Sequence, residues 1–360
     1  MWNLRPSLLL LGLFPALAVS FDPTAYTRSS ATCKAAKRDT NHEVDISLSY
    51  IDINPTAETT LILVHGWPSI WSTWARQISE FEKDYHLIVP DLRGFGRSTH
   101  PEDVRSSGAL FDHVGDLTCI LEHANVKEAV CVGHDWGSAV CYEAGRSRPD
   151  IFKGIIGGVV PYIPAGPDFL ATRMMPSISA KLAYQIYFDE DTDNAVKELD
   201  ADIRRSLRST LRAKSSPPPD AFLKSTESFI GAWSDHDEIP PIPWFSPEEE
   251  DYMVQEFSVQ GYRNSLQFYT TENRKQSWER VRDQGNATLP QPVLALYPTH
   301  DPVADWEKAA LMLKSAVFLP DLETVTMPGS HWVHLENAND FNRAMRHWLE
   351  SRFQVKHDEL

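Results

Sequence analysis

Ala129-Val130-Cys131-Val132-Gly133-His134-Asp135-Trp136-Gly137 is the stretch on which the fold turns. Its first four residues are apolar and β-prone, as in a strand buried on both faces. Ser138 to Ser147 follows with helical spacing, so the chain passes from strand to helix within a few residues. Gly-x-Asp-x-Gly suits that passage, because glycines permit a tight turn that leaves the side chain between them exposed at the strand end. Here that side chain is a carboxylate. It can displace a leaving group at a saturated carbon and remain behind as an alkyl ester, whereas a serine alkoxide suits acyl donors.

The same rhythm extends in both directions. Thr60 to Val64, Leu87 to Pro90 and Ile155 to Val160 are short apolar runs, and Phe111 to Ala124 is helix-like. After a break come a strand at Pro292 to Tyr297, a helix around Asp305 to Lys314, a strand near Thr324 to Met327 and a last helix from Asp340 to Phe353. Apolar strands alternating with helices predict an α/β fold with a mostly parallel central sheet covered on both faces. Val44 to Ile53 alternates as edge strands do, and Asp22 to Arg38 reads as polar and irregular. Between the halves, residues 162–289 are aromatic, proline-rich in places and otherwise helical. The expected organisation is a core over 21–161 and 290–356, with this insertion as a helical lid above the carboxyl ends of the strands, where such sheets bind ligands.

Two further strand ends supply partners for Asp135. His331, in Gly329-Ser330-His331-Trp332, follows the last predicted strand and is the candidate base; Asp301, in Thr299-His300-Asp301-Pro302, follows the strand before it and would orient the imidazole. The order nucleophile, acid, histidine is that of α/β-hydrolases. His334 and His300 compete for the base, and Asp305 for the acid. Leu61 to Val64 delivers His65-Gly66-Trp67-Pro68, so the backbone amides of Trp67 and Trp136 are the candidate oxyanion hole. His65 and His134 read as structural imidazoles.

HGWP at 65–68, GHDWG at 133–137 and DLRGFGRS at 91–98 together resemble the epoxide hydrolase family of α/β-hydrolases, over about Val44 to Phe353. The resemblance implies two lid tyrosines that hold the epoxide oxygen. Tyr184 and Tyr269 occupy the matching positions, with Tyr187 and Tyr262 as near alternatives. It also implies a small hydrophobic epoxide as substrate, simple or polyepoxide, and a route through an ester on Asp135 without metal or organic cofactor. Haloalkane dehalogenases share the tryptophan after the aspartate, but similar ones often carry asparagine where this chain has Trp67. A non-catalytic member of the fold would have lost the nucleophile or the histidine, and both are present. Ser330 departs from the family, which commonly has glycine before the catalytic histidine.

Bulk properties narrow the setting. A net charge of -16 without a compensating basic stripe makes nucleic acid and anionic membranes poor partners. Residues 1–20 combine a positive start, the apolar run Leu8 to Val19 and small residues at Ala18-Val19-Ser20, the pattern of a signal peptide. The terminal His357-Asp358-Glu359-Leu360 is the HDEL signal, read by its receptor. Together they predict residence in the endoplasmic reticulum lumen, where the sequon at Asn286 would be open to glycosylation on a loop. No cysteine spacing resembles a zinc site. Burial as small hydrophobes is expected for most of the four cysteines, with one bridge through Cys33 as an alternative.

Overall fold

The computed structural model describes residues 21–353; the expected signal peptide over 1–20 and the expected HDEL signal over 357–360 lie outside them. Eight strands form one sheet in the order β1-β2-β4-β3-β5-β6-β7-β8. They are β1 (Arg28–Lys37), β2 (His42–Ile53), β3 (Thr60–Val64), β4 (His86–Pro90), β5 (Ala129–His134), β6 (Phe152–Gly158), β7 (Val293–Pro298) and β8 (Leu322–Met327). β1 pairs antiparallel with β2 and β2 with β4; every other pairing is parallel. Every residue of β3, β4, β5 and β7 is buried, as expected of strands covered on both faces.

Helices α1 (Ala75–Phe81), α2 (Leu110–His123) and α3 (Trp136–Ser147) belong to the first half. The insertion between β6 and β7 carries α4 (Met175–Ile178), α5 (Tyr184–Glu190), α6 (Thr192–Asp200), α7 (Ile203–Thr210), α8 (Pro247–Phe257) and α9 (Thr271–Gln284). The chain closes with α10 (Trp306–Leu313), α11 (Val333–Glu336) and α12 (Ala338–Phe353). One core cluster joins Ile62, Cys131 and Leu117 to residues of the insertion such as Phe188 and Tyr269; the other packs Leu63, Val132 and Leu296 against Trp348 and Phe341. Burying these large side chains stabilises each by about 1.5–3 kcal/mol.

Three expectations fail. β2, whose alternation reads as that of an edge strand, is flanked by β1 and β4. Residues 28–37 form a full edge strand, because Ala31, Cys33 and Ala35 alternate inward between exposed neighbours. Their side chains are too small to give that alternation hydropathic weight. The cysteines are all bridged, Cys33 to Cys119 and Cys131 to Cys141, so none is a free core thiol among the described residues. The first bridge ties β1 to α2 across a sequence separation of 86. Closing so long a loop removes roughly 4 kcal/mol of unfolded-chain entropy. The pair Cys33→Ala, Cys119→Ala should lower Tm by roughly 5–10 °C in scanning calorimetry, with activity at low temperature unchanged.

Candidate active site

Register brings the reactive loops together. Val64 pairs with Gly133 across β3 and β5, and Pro298 with Met327 across β7 and β8, so the residues beyond each pair meet above one edge of the sheet. Asp135 leaves β5 at φ 55° and ψ -122° as the cap of α3. Such a conformation costs a non-glycine residue about 1–3 kcal/mol and persists only where its surroundings fix it. They do: the Asp135 amide donates to Gly158 O at 3.1 Å, and the Asp135 carbonyl accepts from the Ser138 amide at 3.0 Å. A Cβ on Gly66 would stand 2.5 Å from Asp135 Oδ1, so the approach of the two loops requires that glycine.

The carboxylate is held from two sides. Trp67 N–H donates to Asp135 Oδ1 at 2.9 Å, and His331 Nε2 stands 3.5 Å from Oδ2. His331 Nδ1 in turn meets Asp301 Oδ2 at 2.7 Å. The Asp301 carboxylate, out of reach of solvent, also accepts from Trp306 Nε1 at 2.6 Å and Val303 N at 2.8 Å. Trp136 is the first residue of α3, so its amide is one that a helix leaves without a partner in its own backbone.

Charge follows this geometry. Burial opposes the His331 cation, yet the Asp301 charge, with hydrogen bonds to Asp135 and Asp301, raises its pKa to about 10. Burial likewise opposes the Asp135 anion, but His331 and the Trp67 amide keep its pKa below the usual value. The resting site is therefore an anion and a cation side by side. Were the Asp135 charge removed, His331 would lose part of that support and become more acidic.

Both tyrosines roof this centre. The Tyr269 ring lies 5.3 Å from Trp67, 5.5 Å from Trp136 and 5.6 Å from Tyr184, centroid to centroid. Burial, and the charge of Asp135 beneath them, push both phenols above their ordinary pKa, so they stay protonated donors. Of the alternatives, Tyr187 answers instead to Glu198, and Tyr262 packs on Phe257.

The competing acid and histidines are engaged elsewhere. Asp305 caps α10 through the Lys308 amide, His300 contacts Thr299 Oγ1 and Lys214 Nζ, and burial holds His334 neutral among Trp74, Trp332 and His134. His65 accepts from the Leu92 amide through Nε2 and faces Gly66 O through Nδ1, fixing the two loops against each other. At Ser330 the extra side chain has a place: its backbone N–H and hydroxyl both meet Glu336 Oε2, at 2.6 Å and 2.5 Å.

A family model described as alpha/beta hydrolase fold matches residues 59–338. An epoxide hydrolase of Caballeronia sordidicola is 30% identical over 238 residues, 63% of this chain and 69% of that protein. The chain belongs to the epoxide hydrolase family of the α/β-hydrolase fold. Epoxide hydrolase A of Mycobacterium tuberculosis is 26% identical over 327 residues, covering 86% of this chain and 95% of that one. The crystal structure of epoxide hydrolase A from Mycobacterium thermoresistibile superposes with a TM-score of 0.73 at 25% identity, covering 90% and 98% of the two chains.

Two supports of this family member's site, Trp306 and Glu336, escape a sequence reading, while His134 is the structural imidazole expected. Trp306 donates to Asp301, and Glu336 anchors the loop before His331. His134, fully buried and pushed down to about 4 by that burial, is neutral and donates its Nε2–H to the His331 carbonyl at 2.9 Å. Only His134 had a local signal, its place beside the nucleophile.

Proposed function

We propose that this protein converts an epoxide and water into a vicinal diol through a covalent ester on Asp135. The observation that carries the reading is the chain Asp135, His331 and Asp301 set beneath two protonated tyrosines. Asp135 Oδ2 attacks an oxirane carbon while Tyr184 and Tyr269 donate to the oxygen as its charge develops. His331, oriented by Asp301, then activates water against the ester carbonyl, whose oxygen accepts from the Trp67 and Trp136 amides. Residues 162–289 serve as the lid that carries the tyrosines and excludes bulk water.

A single turnover in heavy-oxygen water tests the route. The first diol released should carry no solvent oxygen, because its new oxygen comes from Asp135; label in that diol would overturn the ester. Product analysis separates a simple epoxide from a polyepoxide whose opening is coupled to cyclisation, since the latter yields a cyclic ether. Halide release from haloalkanes at comparable rates would move the assignment to a dehalogenase.

The two phenols share one task, so Tyr184→Phe and Tyr269→Phe should each slow ester formation about 10-fold or more, and the double variant about 10²–10⁴-fold. Stopped-flow quenching of tryptophan fluorescence follows that step; an unchanged rate in the double variant would remove both tyrosines from it.

The proposed compartment is the endoplasmic reticulum lumen. The terminal signals support it, and so do two disulfides, which persist in oxidising compartments. Asn286 is exposed just beyond α9, where a glycan would not disturb the core. Deleting residues 357–360 should send the protein into the medium, and Asn286→Gln should abolish a mobility shift on deglycosylation.

A further inference from the structure

Arg274 is a cation with no carboxylate among its hydrogen-bond partners. It sits in the first turn of α9, just beyond Tyr269, with its backbone N–H donating to the Thr270 carbonyl at 3.1 Å. The side chain is half-buried. Its Nη1 donates to Thr172 Oγ1 at 2.8 Å and its Nη2 to the Met175 thioether sulfur at 3.5 Å. A thioether is a weak acceptor, and a guanidinium offers five donors.

The buried arginines Arg93 and Arg212 are held differently. Arg93 grips Asp116 at 2.5 Å and 2.6 Å, with both residues buried. Arg212 lacks a carboxylate but is satisfied by carbonyls, among them Pro240 at 2.8 Å and Ser216 at 3.1 Å. Arg274 has neither arrangement. Asp189 lies within its field, but that carboxylate is already taken by the Thr271 amide at 2.9 Å, the Thr271 hydroxyl at 2.5 Å and Arg105 at 3.4 Å. Burial accordingly pulls the Arg274 pKa down to about 10 against the opposing charges of Asp189 and Tyr184. A half-buried guanidinium with spare donors is a receptor for an anion, above all a planar carboxylate that can accept two bonds at once.

Position says which anion. Thr172, held by Arg274, meets Thr271 Oγ1 at 3.1 Å, and the Thr271 amide is bound at 2.9 Å by Asp189 of α5, the helix that begins at Tyr184. A substrate whose oxirane lies between Asp135 and the tyrosines, and whose chain continues past Tyr184, brings its far end to Arg274. The protein as a whole carries -16 and repels anions at long range, so an acidic substrate needs such a local cation.

We propose that Arg274 is a specificity-determining residue that binds a carboxylate of the substrate, and that the substrates this enzyme selects are epoxides bearing an acid group on a chain passing Tyr184. The proposal rests on the epoxide hydrolase reading for its chemistry. The binding claim can be tested apart from it.

Terminal epoxy-alkanoates of graded length are compared with their primary amides, uncharged isosteres, in wild type, Arg274→Gln and Arg274→Lys. Wild type should favour one chain length of acid over its amide by at least about 10-fold in kcat/KM, the worth of a charge-assisted hydrogen bond. Arg274→Gln should erase that preference through KM while leaving the amides unchanged, and Arg274→Lys should restore part of it. Equal loss on acids and amides would mean that Arg274 only braces the lid, and no preference in wild type would overturn the proposal outright. The same pairs are titrated calorimetrically into Asp135→Asn, which is not expected to turn them over. If wild type opens no epoxide at all, the chemical reading fails, yet tighter binding of acid than amide that disappears in Asp135→Asn, Arg274→Gln would still uphold the anion site, and equal affinities would refute it.

Discussion

Asparagine at Asp135 is expected to lower steady-state epoxide turnover by on the order of 10⁴-fold or more, with no covalent adduct in the mass spectrum of the intact protein. Asparagine is the informative replacement. It tolerates a positive φ better than most residues, so the turn at φ 55° survives, and its amide oxygen can still accept from Trp67 N–H. What disappears is the charge and the nucleophilic oxygen. The loss should fall on ester formation, with substrate binding little changed.

The same substitution has a titration signature. Asp135 helps raise His331 to about 10, so its neutralisation should move the imidazole pKa downward, as followed by its ring-proton NMR shifts. The sign for stability follows. A histidine raised in the folded state contributes stability that is fully present below its unfolded pKa, near 6.5, and is lost as pH rises through about 10. Asp135, lowered in the folded state, contributes stability present above the unfolded carboxylate value and lost as pH falls through the folded one. Wild type should therefore lose stability on both flanks, and Asp135→Asn should show a weaker loss on each. Unchanged turnover in the variant would displace Asp135 from its role.

How much of this site can be read from sequence depends on whether a residue's function is local. Gly133 and Gly137 flank Asp135 in the chain, and the strand-to-helix passage that they permit is itself a local pattern. His331 and Asp301 were legible because each follows a strand, and parallel strands bring such ends together. Trp306 was not legible: its indole reaches Asp301 only because α10 turns back over the loop after β7. Arg274 is harder still, since its character lies in what surrounds it and not in its own neighbours along α9. The edge strand β1 was missed for another reason, that Ala31, Cys33 and Ala35 carry burial in side chains too small to register as hydrophobic alternation. The bridge from Cys131 to Cys141 joins β5 to α3 on either side of the nucleophile, a proximity that follows from the turn between them. A strand and a helix assigned separately carry no hint of it.

Replacing His331 with glutamine should separate the two halves of the reaction that Asp135→Asn abolishes together. Ester formation needs the carboxylate and the phenols but no base, so the variant should react once and stop, gaining the mass of one substrate per chain. Steady-state turnover should fall about 10²–10⁴-fold, the usual worth of a positioned base. Folding should survive, because Asp301 keeps its bonds from Val303 N and Trp306 Nε1 when the imidazole is gone. In wild type the pH dependence of the second step carries the same logic. His331 sits near 10 only while Asp135 is charged; in the ester both the Asp135 charge and its hydrogen bond are absent, and Asp301 alone supports the cation. Ester hydrolysis in single turnovers should then rise with an apparent pKa well below the resting value, while ester formation is insensitive over the same range. A hydrolysis limb that stays near pH 10, or a His331→Gln protein that accumulates no adduct, would break the link between the base and the charge it inherits from the nucleophile. If both results hold, one ion pair accounts for a site that keeps its base protonated until there is an ester for it to act on.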